Sequence, residues 1–109
     1  MCLILFSFKT HPRYKLVLAA NRDEYFERPA LSADFWESNT NILGGIDLIS
    51  GGTWLGISRS GRFAAITNYR NPLVQVDQPI SRGEITRQFL ESERLSEDFL
   101  EKINVKKPL

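Results

Sequence analysis

Two short stretches of this chain are apolar on both faces, and that property constrains its fold more than any other. Residues 2–8 (CLILFSF) and 15–21 (KLVLAAN) are rich in Leu, Ile, Val and Phe. Their length suits β-strands, and the intervening KTHPRY brings the proline and polar residues of a turn. A strand with one wet face alternates apolar and polar residues. These two do not, so the sheet they form is expected to be covered on both sides. With the turn centred near His11 and Pro12, antiparallel partners have numbers that sum to about 23. Cys2 then lies across from Asn21 at the open end of the hairpin.

The following stretch, RDEYFERPALSADFW, mixes charges and aromatics without a clear period and is expected to be an irregular loop with one helical turn. In ILGGIDLISGG, four glycines in two pairs read either as short strands broken by bulges or as backbone that approaches something closely. A second hairpin is signalled by TWLGIS and RFAAITN around RSG, where Gly61 supplies the positive φ of a tight turn. Centring on that turn opposes Thr53 to Asn68. A polar, proline-bearing loop runs to Pro79. SRGE then has the spacing of a helix capping box, with Ile85, Phe89 and Leu90 as the apolar face, and Ser96 is the expected cap of a second helix through Phe99, Leu100 and Ile103. Strands first and helices after define an α+β chain rather than a βαβ repeat.

With 109 residues, 42% of them hydrophobic and 25% charged, the chain has the makings of one modest core, and a single domain over residues 1–109 is expected. A net charge of +1 gives no general electrostatic footprint for nucleic acid. The opening apolar run is too short to span a bilayer and lacks the basic flank and cleavage site of a secretory signal, so a cytoplasmic location is expected. One cysteine and one histidine make neither an intramolecular disulfide nor a metal cluster, and no cofactor is expected. GGIDLISGG is followed by no Gly-Lys-Ser/Thr and lacks the dinucleotide spacing, which leaves little case for phosphate binding.

Chemistry is sought where strand ends converge. A small residue behind Met1 favours removal of that methionine, and a freed Cys2 would join a thiol, with a reference pKa of about 8.5, to an α-amine of about 8 that serves as its base. Cys2 also suits the plainer part of a small apolar residue that opens a buried strand. Beside it the hairpin register gathers Asn21, Arg22, Asp23 and Glu24. Asp23 is the choice to hold or orient the amine, and Asn21 or Asn68 can donate to an oxyanion. The same NRDE stretch equally suits a solvated turn. Arg22, Arg28, Arg70 and Arg82 are candidate anion contacts or surface ion pairs. Thr53 and Trp54 join Arg22, Asn21 and Arg70 as candidate substrate contacts, while Trp36, Phe35 and Tyr69 fit a pocket lining or a core.

Taken together, the opening MC, LVLAANRDEYFERPA, ILGGIDLISGGTWLGIS and GRFAAITNYRNP resemble the NRDE-motif family, over residues 1 to about 72. The resemblance implies an N-terminal nucleophile hydrolase-like fold, a four-layer αββα sandwich with antiparallel sheets, of which this chain would be the N-terminal part or a truncated form. It implies Cys2 as the nucleophile after loss of Met1. The stretch ANRD is similar to the Arg-Asn-x-Asp of choloylglycine and penicillin V acylases, which gives Asp23 the amine-orienting role, and ITNYRNP is similar to their oxyanion strand end, which points to Asn68. Ala20 stands where those acylases carry Arg, which sets the chain apart from their substrates.

Two functions follow from the resemblance. One is a cysteine amidohydrolase acting on a linear amide. The other is a non-catalytic carrier or chaperone for a lipid-like or haem-like ligand, linked to Golgi organisation or haem trafficking. The expected partners are a small-molecule amide or lipid-like ligand and a second copy of the chain, joined through exposed strand edges.

Overall fold

A computed structural model describes residues 2–67 and 81–106, with side chains described as far as residue 103. Its element order is β1 (Leu3–Phe8), β2 (Leu16–Asn21), β3 (Ala30–Phe35), β4 (Ile42–Asp47), β5 (Leu55–Ser58), β6 (Phe63–Ala65), α1 (Arg82–Glu91) and α2 (Ser96–Lys106). The architecture is α+β, with two antiparallel sheets and two helices among the described residues. Two compact units emerge: Met1–Glu27 with Thr67–Gln75, and Arg28–Ile66 with Val76–Leu109.

The first unit is built on the β1–β2 hairpin. Its pairs run from Leu3 with Asn21 to Phe8 with Leu16, so partner numbers sum to 24. The expected sum of about 23 is therefore off by one. Lys9 takes a left-handed φ of 56° and donates its N–H to the Lys15 carbonyl at 2.7 Å, which centres the turn on Pro12. The expectation of a sheet covered on both sides is not met by the described residues. Leu3, Leu5 and Val17 are exposed on one face, and Phe6 and Phe8 on the other.

In the second unit, β3, β4, β5 and β6 form a meander in that order. The β5–β6 connection is a three-residue turn: Ser58 donates to Arg62 and accepts from Gly61, whose φ is 91°. This is the hairpin expected around Gly61, with a register sum of 120, one less than the pairing of Thr53 with Asn68 requires. Asn68 itself lies outside the described residues. A clear departure is β3, which occupies the ground expected to be irregular. Every residue of it is exposed, and its register slips between Leu31 and Asp34, so no periodicity survives to be read.

Trp36, Ile42 and Leu90 make the core, with Ile46 and Ala64 against it. Trp36 turns its indole N–H onto the Gly44 carbonyl at 3.0 Å, so its one polar atom is satisfied in the interior. Helix α1 supplies Leu90 from above, along with a buried Thr86. At its start Ser81 has the extended backbone of an N-cap, yet its hydroxyl makes no capping bond; the Ser81 carbonyl takes the Glu84 N–H instead, at 3.0 Å. The Glu84 carboxylate is engaged along its own helix by Gln88 and Arg87, which is why the expected capping box does not close. Ser96 is the first residue of α2 rather than its cap, since Phe99 donates to the Leu95 carbonyl. Phe99 is buried and meets Phe89 edge-on at 5.2 Å, whereas Leu100 faces outward.

What lets α1 sit so close is bare backbone. A Cβ on Gly52 would stand 2.5 Å from the Gly83 carbonyl carbon and 2.8 Å from the Glu84 nitrogen. One on Gly56 would strike Leu90 Cδ1 at 2.7 Å. Across the Gly52–Gly83 contact, Thr53 donates its N–H to the Gly83 carbonyl at 3.3 Å. Gly52→Ala is therefore expected to cost about 1–3 kcal/mol, because the atoms in its way are main chain and cannot rotate aside. Gly83→Ala meets its nearest atoms only at 3.2 Å and recovers helix propensity of about 1 kcal/mol, so it should cost clearly less. Thermal unfolding of the two variants, followed by circular dichroism, checks this; equal midpoints would show that the helix does not dock through this seam.

Candidate functional site

At the open end of the first hairpin the chain leaves β2 at Asn21 and turns back past the start of β1. One step beyond the last pair, the register sets Cys2 across from Arg22 rather than Asn21. Cys2 is half-buried and unbridged. Its Sγ accepts the backbone N–H of Asp23 at 3.3 Å, a bond that joins the two ends of the hairpin over 21 positions. Arg22 reaches Glu24 at 4.0 Å, with both side chains about three-quarters covered, and a Glu24 oxygen also accepts the Tyr25 N–H at 2.9 Å. The NRDE stretch thus meets the cysteine end of the hairpin through the Asp23 amide.

This arrangement has definite chemical properties. A backbone N–H aimed at sulfur ties the Cys2 side chain to the backbone that follows β2. The ion pair beside it adds a cation and a carboxylate within two residues of the donor. Sequence reasoning assigned Asp23 its carboxylate; the contact found for it with Cys2 is made by its amide. No residue type advertises a backbone donor; the hairpin register and the ANRD resemblance pointed to this position, but neither pointed to its amide.

The remaining candidates divide. Thr53 and Trp54 belong to the second unit, where Thr53 is buried and its hydroxyl donates to the Leu55 carbonyl at 3.0 Å, and Trp54 is half-buried. Asn68, Tyr69 and Arg70 lie outside the described residues. Trp36 is core, and Phe35 carries the Arg59 guanidinium 4.2 Å above its ring. Among the described residues there is no cluster of three or more His, Cys, Asp or Glu that would hold a metal ion, and no helix is long and apolar enough to cross a membrane.

Arg28, one of the candidate anion contacts, is spent on the chain's own carboxylate. Its Nε and a terminal nitrogen both meet Asp47 Oδ2, at 2.7 and 2.6 Å. The other oxygen of Asp47 accepts the N–H groups of Ile49 and Ser50, and its carbonyl takes that of Gly51, so one residue closes the whole β4–β5 turn. Partial desolvation works to raise the Asp47 carboxyl, but the Arg28 hydrogen bond and the two backbone donors outweigh it and hold the group below its ordinary range.

With the fold and this geometry described, the relationship to known proteins is direct. Residues 1–108 match the Transport and Golgi organisation 2 family, and the chain belongs to that family. It is 47% identical over 111 residues to the Transport and Golgi organization protein 2 homolog of Bos taurus, a match that covers 95% of this chain and 40% of the relative. The Homo sapiens homolog is 46% identical over 113 residues, covering 96% of the chain and again 40% of the relative. The Drosophila melanogaster Transport and Golgi organization protein 2 is 48% identical over 69 residues, 58% of this chain and 24% of that protein. The chain thus spans about two-fifths of the length of the cattle and human relatives.

The Asp47 turn generates a pH dependence with a definite sign. A carboxyl whose folded pKa is depressed contributes stability that is fully present above the unfolded value of about 3.9 and is lost as pH falls through the lower folded value. In Asp47→Asn the turn keeps an acceptor for Ile49 and Ser50 but loses the charge that holds Arg28. The variant should be less stable by roughly 1 kcal/mol at pH 7, an amount limited by the partial exposure of the pair, and the gap should close as pH falls through the lowered folded value of the parent. Urea titrations stepped from pH 7 down through the acid range test this, and a gap that does not narrow at any step would exclude the ion pair as its source.

Proposed function

We propose that this part of the family domain carries the nucleophile end of a cysteine amidohydrolase site, with an N-terminal nucleophile hydrolase-like sandwich as its setting. Cys2 is the nucleophile once Met1 has been removed. Its neutral α-amine takes the thiol proton, and the thiolate attacks the carbonyl carbon of a linear amide. The carbon–nitrogen bond breaks as the leaving amine accepts that proton. Water then hydrolyses the thioester, releasing the acid and restoring the thiol. Asp23 orients the amine through its carboxylate, while Asn21 and Arg22 face the substrate. Asn68, as oxyanion donor, enters this reading only through the acylase resemblance.

The observation that carries the proposal is the Asp23 N–H on Cys2 Sγ at 3.3 Å. It joins the thiol to the NRDE stretch, the meeting of groups that the proposed chemistry requires. A second reading draws on the relatives' names, which speak of transport and Golgi organization: a non-catalytic carrier for a lipid-like ligand, located in the cytoplasm, that uses the same strand end for binding.

The two readings separate on Cys2→Ala. For the amidohydrolase, intact mass should show a mature chain that starts at Cys2, and hydrolysis of a panel of N-acyl amides should fall to background in the variant. Retained Met1 in active protein, or turnover unchanged by Cys2→Ala, would overturn it. Ligand binding that survives the substitution, with no turnover in the parent, favours the carrier.

A further inference from the structure

The β1–β2 hairpin has the composition of a buried layer and the exposure of a surface. Between Leu3 and Phe8, and between Leu16 and Asn21, there is no charged residue. Leu3, Leu5 and Val17 share one face and are 44–60% exposed; Phe6 and Phe8 share the other and are 58–69% exposed. Contiguous apolar area on both sides of one hairpin is rare on a free surface, and two strands alone make a marginal sheet in water. The second unit differs in having one face of its meander covered, where Trp36, Ile42 and Leu90 are buried with α1, although Phe35 and Ile57 are exposed on the other. Something apolar is needed against the first unit, on both faces.

We propose that the occupant is the remainder of a family domain: the 60% of the cattle relative's length that this chain does not span. Two observations support that choice over others. The exposed faces belong to a segment that matches the family throughout, since the match runs over residues 1–108, so the apolar positions are part of the family domain and not a local addition. The relatives also carry more than one further length of this chain, enough to supply a layer to each face. A membrane surface fits less well, because a bilayer contacts one face and leaves the other open. A second copy of the chain would bring only the same unsatisfied hairpin.

The test is fragment complementation. The 109-residue chain is co-expressed with the part of the Bos taurus relative that lies outside the matched region, and hydrogen exchange is followed in both units. In the chain alone, amides of β1 and β2 should exchange far faster than those of β4 and α1. With the fragment, a 1:1 complex should form in which hairpin exchange slows at least tenfold, and Leu5→Asp and Phe6→Asp, one on each face, should each weaken it at least tenfold. Glu93→Lys, exposed in the second unit, should have no effect. Exchange by β4 and α1 shows whether a variant has lost its fold, and the unmutated pair remains decisive if one has. Absence of a complex, a complex that leaves hairpin exchange unchanged, or protection already complete in the chain alone or in its homodimer would each overturn the proposal.

Discussion

The second unit depends on one close approach, the helix backbone at Gly83 resting on the backbone at Gly52, in the connection between β4 and β5. Nothing in it is a strong interaction by itself. Two main chains touch without intervening side chains, the Thr53 N–H finds the Gly83 carbonyl, and α1 is brought near enough for Leu90 to drop onto the bare Cα of Gly56. From there the core follows. Leu90 meets Trp36 and Ile42, and Trp36 turns its one polar atom onto Gly44. The core is small, so its order comes from close fit more than from area, and a single methyl group at the seam acts on all of it.

Charge has a supporting part at the edges of this unit. Asp47 gathers three backbone N–H groups and the Arg28 guanidinium into one turn, which fixes where β4 ends and where the chain turns back toward Gly52. At the other end, Arg62 lies over Phe89 and bonds to the Arg94 carbonyl, tying the β5–β6 turn to the link between the helices. Both arginines buttress elements that the core alone would leave loose.

How much of this was legible depended on what carried the signal. Side-chain pattern identified the β1–β2 run, the hairpin around Gly61 and both helices, because apolar spacing and turn residues act locally. It missed β3, which is held by its pairing with β4 and whose exposed, bulged residues offer no alternation. The paired glycines were ambiguous between bulge and close approach, and the distances at Gly44 and Gly52 answer in favour of approach. Both hairpin registers were off by one, since a left-handed Lys9 and a three-residue turn at Gly61 are backbone choices that composition does not fix. At the site, sequence brought the NRDE stretch to Cys2, but the atom that meets sulfur is an amide, invisible in any residue list.

The proposed site and the proposed docking faces meet at the hairpin. The thiol and its donor lie at the end of the sheet with the least coverage, and the bond between them spans both strands, so it is held only as firmly as the strands are held together. Layers laid on Leu5 and Phe6 would rigidify β1 against β2 and with them the 3.3 Å contact at Cys2. The nucleophile role proposed for Cys2 would need that rigidity, because attack on a carbonyl tolerates little misplacement. On this view the apolar faces and the cysteine end form one system, in which burial of the sheet is the means by which the site acquires its geometry.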